Sequence, residues 1–400
     1  MTAVGIIAFV VALLISVMLH EAGHFLTARH YGMKATQFFV GFGPTVWSFH
    51  RGETEYGVKA IPAGGYVKII GMTPLEELEP GDEGRAFFRQ GSWKKFVVLV
   101  AGSTMHFIIT GVLVLGAVAT YGSPHEQAPT LGAISSCVGD NPTPECGLPG
   151  AVSSPAKAAG LKAGDVVVSV DGAVVKDSVD FTDRVRAKAG QPVALVVKRA
   201  GKDVAVSVVP EAVRRADENG KVRSIGAIGV SVRANFVNEH YGPIGTVKET
   251  GSLMGVLVTS AYDTFTKKLG TITEIYGPNR DPAGFVGVIG ASRVSGDIAA
   301  APLSWQDKLF SFTLLIAGLN LFVGIFNLLP LLPLDGGHIA VVFFEAVRDR
   351  IKRARGYVGE VLHVDYNKLM PLTFAVVVLF ASFTVFILGA DIVNPIRLNQ

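Results

Sequence analysis

Residues 20–24 read HEAGH. Two histidines four apart on a helix share one face and can bind a single Zn²⁺. Glu21 follows the first of them. It is placed to take a proton from water activated by the metal rather than to bind the metal. It can then pass that proton to a leaving amide nitrogen. A catalytic zinc needs a third protein ligand and an open fourth position. Asp335, in NLLPLLPLDGGH (327–338), is the leading candidate and His338 its rival. Glu345 is assigned to an amphipathic cytoplasmic helix, FFEAVRDRIKRARG (343–356).

The elements that must position these residues are apolar. HEAGH directly follows AVGIIAFVVALLISVML, and 49% of the 400 residues are hydrophobic, with a mean hydropathy of +0.42. That apolarity is uneven, as in membrane segments joined by polar domains. Four segments, 3–28, 96–121, 309–331 and 371–390, are long enough to span a bilayer, which takes roughly 17–25 residues. His20, Glu21, His24, Asn320 and Asn327 fall inside such segments, where polar groups are costly and functional by default. Pro330 and Pro333 break the third segment, and Gly336 and Gly337 are expected to loosen the backbone beyond the break. Irregular backbone at that depth is tolerated only where protein buries it or it lines a water-filled cavity. The start lacks a basic n-region and a cleavage site, so it reads as a retained helix rather than a signal peptide. The net charge of +3 is small, and without aromatic–basic interleaving no nucleic-acid partner is expected.

Basic residues concentrate in the loops 29–95 and 340–370, which places both in the cytoplasm and both termini outside. The fold expected is therefore a polytopic α-helical membrane protein of about four transmembrane helices, with the active site in the cytoplasmic half of the bilayer. The chain divides into a first span with HExxH (1–29), a cytoplasmic, membrane-associated β region (30–95) and a second span (96–121). An extracytoplasmic α+β domain comes next (125–234), then an amphipathic and Gly-rich region (235–308). A third span with the Asp-Gly motif (309–338), a cytoplasmic basic loop (339–370) and a fourth span (371–391) complete it. The run AGLKAGDVVVSVDG (159–172) makes the inserted domain resemble a single PDZ domain, which binds extended peptides by strand addition. Cys137 and Cys146 lie close together on the expected outer side, where disulfides persist, and are expected to pair.

With HEAGH, NLLPLLPLDGGH, GFGP (41–44), PAGGYVK (62–68), the inserted domain and four spans, the chain resembles the site-2 proteases over nearly its whole length. These are intramembrane zinc metallopeptidases, and a single PDZ domain resembles their actinobacterial, Gram-positive branches. The resemblance implies one zinc per chain, held by His20, His24 and Asp335, with Glu21 as catalytic base. It implies that Asn327 contacts the substrate backbone or the oxyanion. It also makes the strands around Gly41, Gly43, Gly64 and Gly65 a substrate-binding β element, 38–49 and 56–69 being read as short strands. One departure stands in AGSTMHF (101–107): many family members have Ala-Gly-Pro and then Asn at the place of His106. A hydrogen bond inside the bundle is the favoured role for that histidine.

The function expected is cleavage of a transmembrane segment of single-pass membrane proteins, such as anti-sigma factors or signal-peptide remnants, in the cell membrane. A site-1-type protease would act first, and the PDZ domain would gate entry. Two alternatives are a PDZ-bearing membrane scaffold with a vestigial metal site and a membrane peptidase acting on cytosolic peptides.

Overall fold

The structure is a computed structural model. It describes residues 1–400 except 73–75, 142–145, 148–149, 217–221, 278–279, 281–283, 358, 360–363 and 397–400. Two compact units emerge, Gly122–His240 and the remainder of the chain.

In the larger unit, helix α1 (Thr2–His30) leads into strands β1 (Ala35–Arg51) and β2 (Thr54–Ile69), then helix α2 (Ser92–Tyr121). Val4, Ile7, Val11, Ile15 and Leu26 of α1 are exposed, a surface that suits hydrocarbon and not water. The two strands are longer than the sequence suggests, because each turns on itself. Gln37–Val40 pairs with Gly65–Lys68 on one side and with Glu55–Val58 on the other, while Trp47–Arg51 pairs with Thr54–Val58. Gly41 and Gly43 sit where β1 changes partner, both with φ +85°.

The smaller unit contains β3 (Ser123–Ile134), β4 (Cys137–Val138), β5 (Val152–Ser153), a short helix α3 (Pro155–Ala158), β6 (Val166–Val170), β7 (Ala173–Val174) and α4 (Ser178–Arg186). It continues with β8 (Val193–Arg199), β9 (Lys202–Val208), β10 (Glu211–Ala216), β11 (Val222–Ala227) and β12 (Val230–Glu239). Its main sheet has the order β12-β3-β6-β8-β9, with β7 beside β6. Alternation in VALVVKR buries Val193, Leu195 and Val197 against Phe181 and Val185 of α4. Asp165 is 1% exposed and is gripped by Arg199 at 2.6 and 2.7 Å. A disulfide joins Cys137 and Cys146, with Cα atoms 5.6 Å apart.

Back in the larger unit come α5 (Pro243–Thr266), α6 (Val288–Ala300), α7 (Trp305–Asn327), α8 (Asp335–Ala354) and α9 (Tyr366–Val393). Four helices, α1, α2, α7 and α9, are long and apolar enough to cross a membrane, which marks a multi-pass membrane protein. The third does not run to 338: α7 stops at Asn327, because the prolines interrupt the backbone ladder, and α8 begins at Asp335. Gly336 and Gly337 do not loosen the segment. A Cβ on Gly336 would lie 2.2 Å from the Leu329 carbonyl, and one on Gly337 2.5 Å from the Leu332 nitrogen. The glycines let the broken segment fold tightly onto the first turn of α8. One core joins α1, the strands, α2 and α8 through Phe25, Ala28, Met33, Ala35, Ile69, Val98, Leu99 and Val342. Glu345 is not on a solvated face: it is 6% exposed and pairs with Lys95 of α2 at 3.2 Å.

Candidate metal centre

The 3.6-residue period of α1 brings His20 and His24 onto one face, with Nε2 atoms 3.1 Å apart. The broken segment after α7 delivers Asp335 to them: its Oδ2 lies 3.4 Å from each Nε2. A tetrahedral zinc with bonds of about 2.0–2.2 Å holds its ligand atoms roughly 3.3–3.5 Å apart; the two sides to Asp335, at 3.4 Å, have that size, and the side between the histidines, at 3.1 Å, is slightly shorter. Asp335 Oδ2 is buried without a hydrogen-bond partner among the described residues, as expected of an atom whose partner is a metal. The tautomer of His24 agrees. Its Nδ1 lies 2.7 Å from the Val98 carbonyl, an acceptor only, so the proton is on Nδ1 and the lone pair is on Nε2. Asp335 also opens α8, where the helix dipole favours a carboxylate. His338, one turn further on, stacks near Tyr366 and is outside the triangle.

Glu21 lies beside the two histidines and accepts a hydrogen bond from the Val67 backbone N–H at 3.0 Å. The strand segment at Gly65–Ile69 thus brings one edge to the site. A Cβ on Gly65 would sit 2.5 Å from Met18 Sδ, two residues before His20, so the strand lies close against α1. A Cβ on Gly64 would meet the Phe42 ring at 3.1 Å. Asn327, the last residue of α7, is half-buried and makes no side-chain hydrogen bond among the described residues.

Two contributors escaped the sequence reading. The first is Gly102 of α2. A Cβ there would lie 2.3 Å from His24 Nε2 and 2.5 Å from His20 Cε1, so only glycine leaves room for both rings. The second is the carbonyl of Val98, since a backbone acceptor carries no side-chain signature. His106 is bonded inside the bundle to Asn320 at 2.8 Å, but its ring is also 5.0 Å from that of His20.

Two histidines and a carboxylate converging in helices of this apolarity define a metal-dependent hydrolase built into a membrane protein. Residues 8–364 match the model of peptidase family M50. The chain belongs to that family and is a zinc metalloprotease. Two relatives are both named zinc metalloprotease Rip1. The one from Mycobacterium tuberculosis (strain H37Rv) is 41% identical, with 99% of each chain covered. The one from Mycolicibacterium smegmatis is 39% identical, with 100% of each chain covered. The PDZ domain of an SdrC-like protein from Listeria monocytogenes aligns with 25% of this chain and 86% of its own, at 24% identity and a TM-score of 0.16, too low to bear on the fold.

Proposed function

We propose that the chain cleaves transmembrane segments of single-pass membrane proteins, using one zinc ion held by His20, His24 and Asp335. The observation that carries this reading is the triangle of His20, His24 and Asp335, with sides of 3.1, 3.4 and 3.4 Å, two of its corners on a 29-residue apolar helix. A bound zinc supplies Lewis acidity and makes water nucleophilic near neutral pH. Glu21 takes the proton from the attacking water and delivers it to the leaving amide nitrogen. The Val67 N–H holds the Glu21 carboxylate at the strand edge during that transfer.

The same edge suits an extended substrate. Gly65–Lys68 is paired on one side with Gln37–Val40, and its other side faces Glu21. A scissile segment added there as a further strand would lie along the ligands. Gly41, Gly43, Gly64 and Gly65 serve by keeping that strand region free of side chains, and Asn327 has an uncommitted amide to offer the developing oxyanion. The unit Gly122–His240 serves as a PDZ-type gate on the extracytoplasmic side. It admits substrates that an upstream site-1-type protease has already shortened, such as anti-sigma factors or signal-peptide remnants. Both termini are extracytoplasmic and the centre lies in the cytoplasmic half of the cell membrane, a placement that rests on the basic loops 29–95 and 340–370.

A Glu21→Gln variant tests the reading. It should fold, bind zinc and accumulate uncut membrane fragments that crosslink to it. Continued processing of a candidate substrate by this variant would overturn the mechanism. Full function in a His20→Ala, Asp335→Ala double variant would favour a scaffold. Cleavage of soluble peptides in preference to membrane segments would favour a cytosol-facing peptidase.

A further inference from the structure

His24 and His20 are supported unequally. The outer nitrogen of His24 donates to the Val98 carbonyl at 2.7 Å. The outer nitrogen of His20, Nδ1, is buried and reaches no acceptor at full hydrogen-bond geometry, the Gly102 carbonyl being the backbone acceptor beside the ring. Because the Nε2 of His20 faces the other two ligand atoms, its proton must sit on Nδ1, and a buried N–H needs an acceptor.

The nearest ring able to supply one is His106 of α2, which is 2% exposed and whose centre is 5.0 Å from that of His20. Its protonation pattern is set by a chain of bonds. The Ser16 hydroxyl donates to the Ala12 carbonyl at 2.9 Å, leaving its oxygen free to accept. Asn320 Nδ2 donates to that oxygen at 3.0 Å and to the Ile316 carbonyl at 2.8 Å. Both Nδ2 hydrogens are therefore used. The amide cannot be turned over, because Oδ1 would then face the Ile316 oxygen. Asn320 Oδ1 consequently accepts from His106 Nδ1 at 2.8 Å. A neutral imidazole with its proton on Nδ1 keeps a lone pair on Nε2, and that nitrogen has no partner among the described residues.

We infer that His106 is a positioning residue for the metal centre, its Nε2 accepting the Nδ1 proton of His20. Ring centres 5.0 Å apart are compatible with the usual hydrogen-bond separation of about 2.7–3.2 Å when the two nitrogens point along the line of centres. The contact completes a relay from Ala12 through Ser16, Asn320 and His106 to His20, spanning α1, α7 and α2. It fixes both the tautomer and the ring orientation of a ligand whose outer side otherwise has only the Gly102 carbonyl near it among the described residues. The competing acceptor is the Gly102 carbonyl, one turn before His106 and also close to His20.

This inference rests on zinc being held by His20, His24 and Asp335. The test is zinc affinity of the full chain in lipid nanodiscs, read by competition with a chelator and independent of proteolysis. His106→Leu should bind zinc about 10–100-fold more weakly. His106→Gln, whose side-chain oxygen can accept, should recover most of that loss. Asn320→Leu, which releases the tautomer, should fall between wild type and His106→Leu. Thermal unfolding of the zinc-free proteins identifies any variant that fails to fold, in which case the Gln and Asn320 variants decide. Wild-type affinity in His106→Leu, or no recovery in His106→Gln, overturns the role of His106 and leaves the Gly102 carbonyl as acceptor. Zinc binding that survives His20→Ala overturns instead the ligand assignment on which the inference stands.

Discussion

Gly102→Ala separates the stability of the bundle from the integrity of the metal centre. The added Cβ would sit 2.3 Å from His24 Nε2, 2.5 Å from His20 Cε1 and 2.7 Å from His20 Nε2, where ordinary contact begins at 3.4 Å. The nearest ring must retreat from 2.3 to 3.4 Å. Zinc bonds tolerate about 0.2 Å, so at least one ligand leaves the triangle. Losing a ligand should weaken zinc binding by more than roughly 100-fold, about 2.7 kcal/mol or more. The helix itself should gain, since alanine exceeds glycine by about 1 kcal/mol in a helix interior. Crowding of the two buried rings costs about 1–3 kcal/mol and offsets that gain, so zinc-free Gly102→Ala should stay folded with stability within about 2 kcal/mol of wild type, yet bind little zinc and cut no substrate. Gly111 lies on the same helix with open space where its Cβ would be, so Gly111→Ala is the matched control and should bind zinc normally. The assays are chelator competition, thermal unfolding and substrate processing in vesicles. Wild-type zinc affinity in Gly102→Ala would refute the close approach of α2 to both rings.

The same contacts set further expectations. Gly65→Ala should lower processing several-fold with zinc affinity intact, because the new Cβ meets Met18 Sδ at 2.5 Å and pushes the strand from α1; adding Met18→Ala should restore activity. Lys95→Met removes the cation beside the buried Glu345 carboxylate, which keeps the Val364 N–H at 2.7 Å, and should cost about 3–5 kcal/mol in thermal unfolding; Lys95→Met with Glu345→Leu should recover most of it. The Arg199 guanidinium beside Asp165 holds that carboxyl below the usual carboxylate range, opposed by burial and aided by the Lys162 N–H. A depressed carboxylate contributes stability above its unfolded pKa of about 3.9 and loses it as pH falls through the folded value. Protection of the Val193–Arg199 amides, relative to their intrinsic exchange at each pH, should therefore fall below about pH 4 in the full chain, and Asp165→Asn should lower it at neutral pH and flatten that dependence.

The part of the centre readable in sequence is the part set by local rules. Four residues of helix fix His20 against His24, and two prolines fix where a carboxylate can leave a helix to meet them. The rest depends on which backbone lies opposite. Gly336 and Gly337 look like hinge residues in a string of letters, yet they act by letting the Leu328–Leu332 backbone fold within contact distance of α8. Glu345 has the spacing of a solvated helix face, but its partner Lys95 is 250 residues away. The alternation in β1 and β2 signals strands without revealing that Gln37–Val40 pairs on both sides. Gly102 and the Val98 carbonyl belong to α2, which contributes no ligand atom to the triangle. Yet α2 decides whether two histidines on another helix can approach each other, and it fixes the tautomer of one of them. A sequence motif can thus name the ligand atoms of a membrane metal site, while the helix packed against it sets their separation and protonation. For that reason substitutions on α2 are the sharper probe of the centre: they change none of the three residues of the triangle and act only through its surroundings.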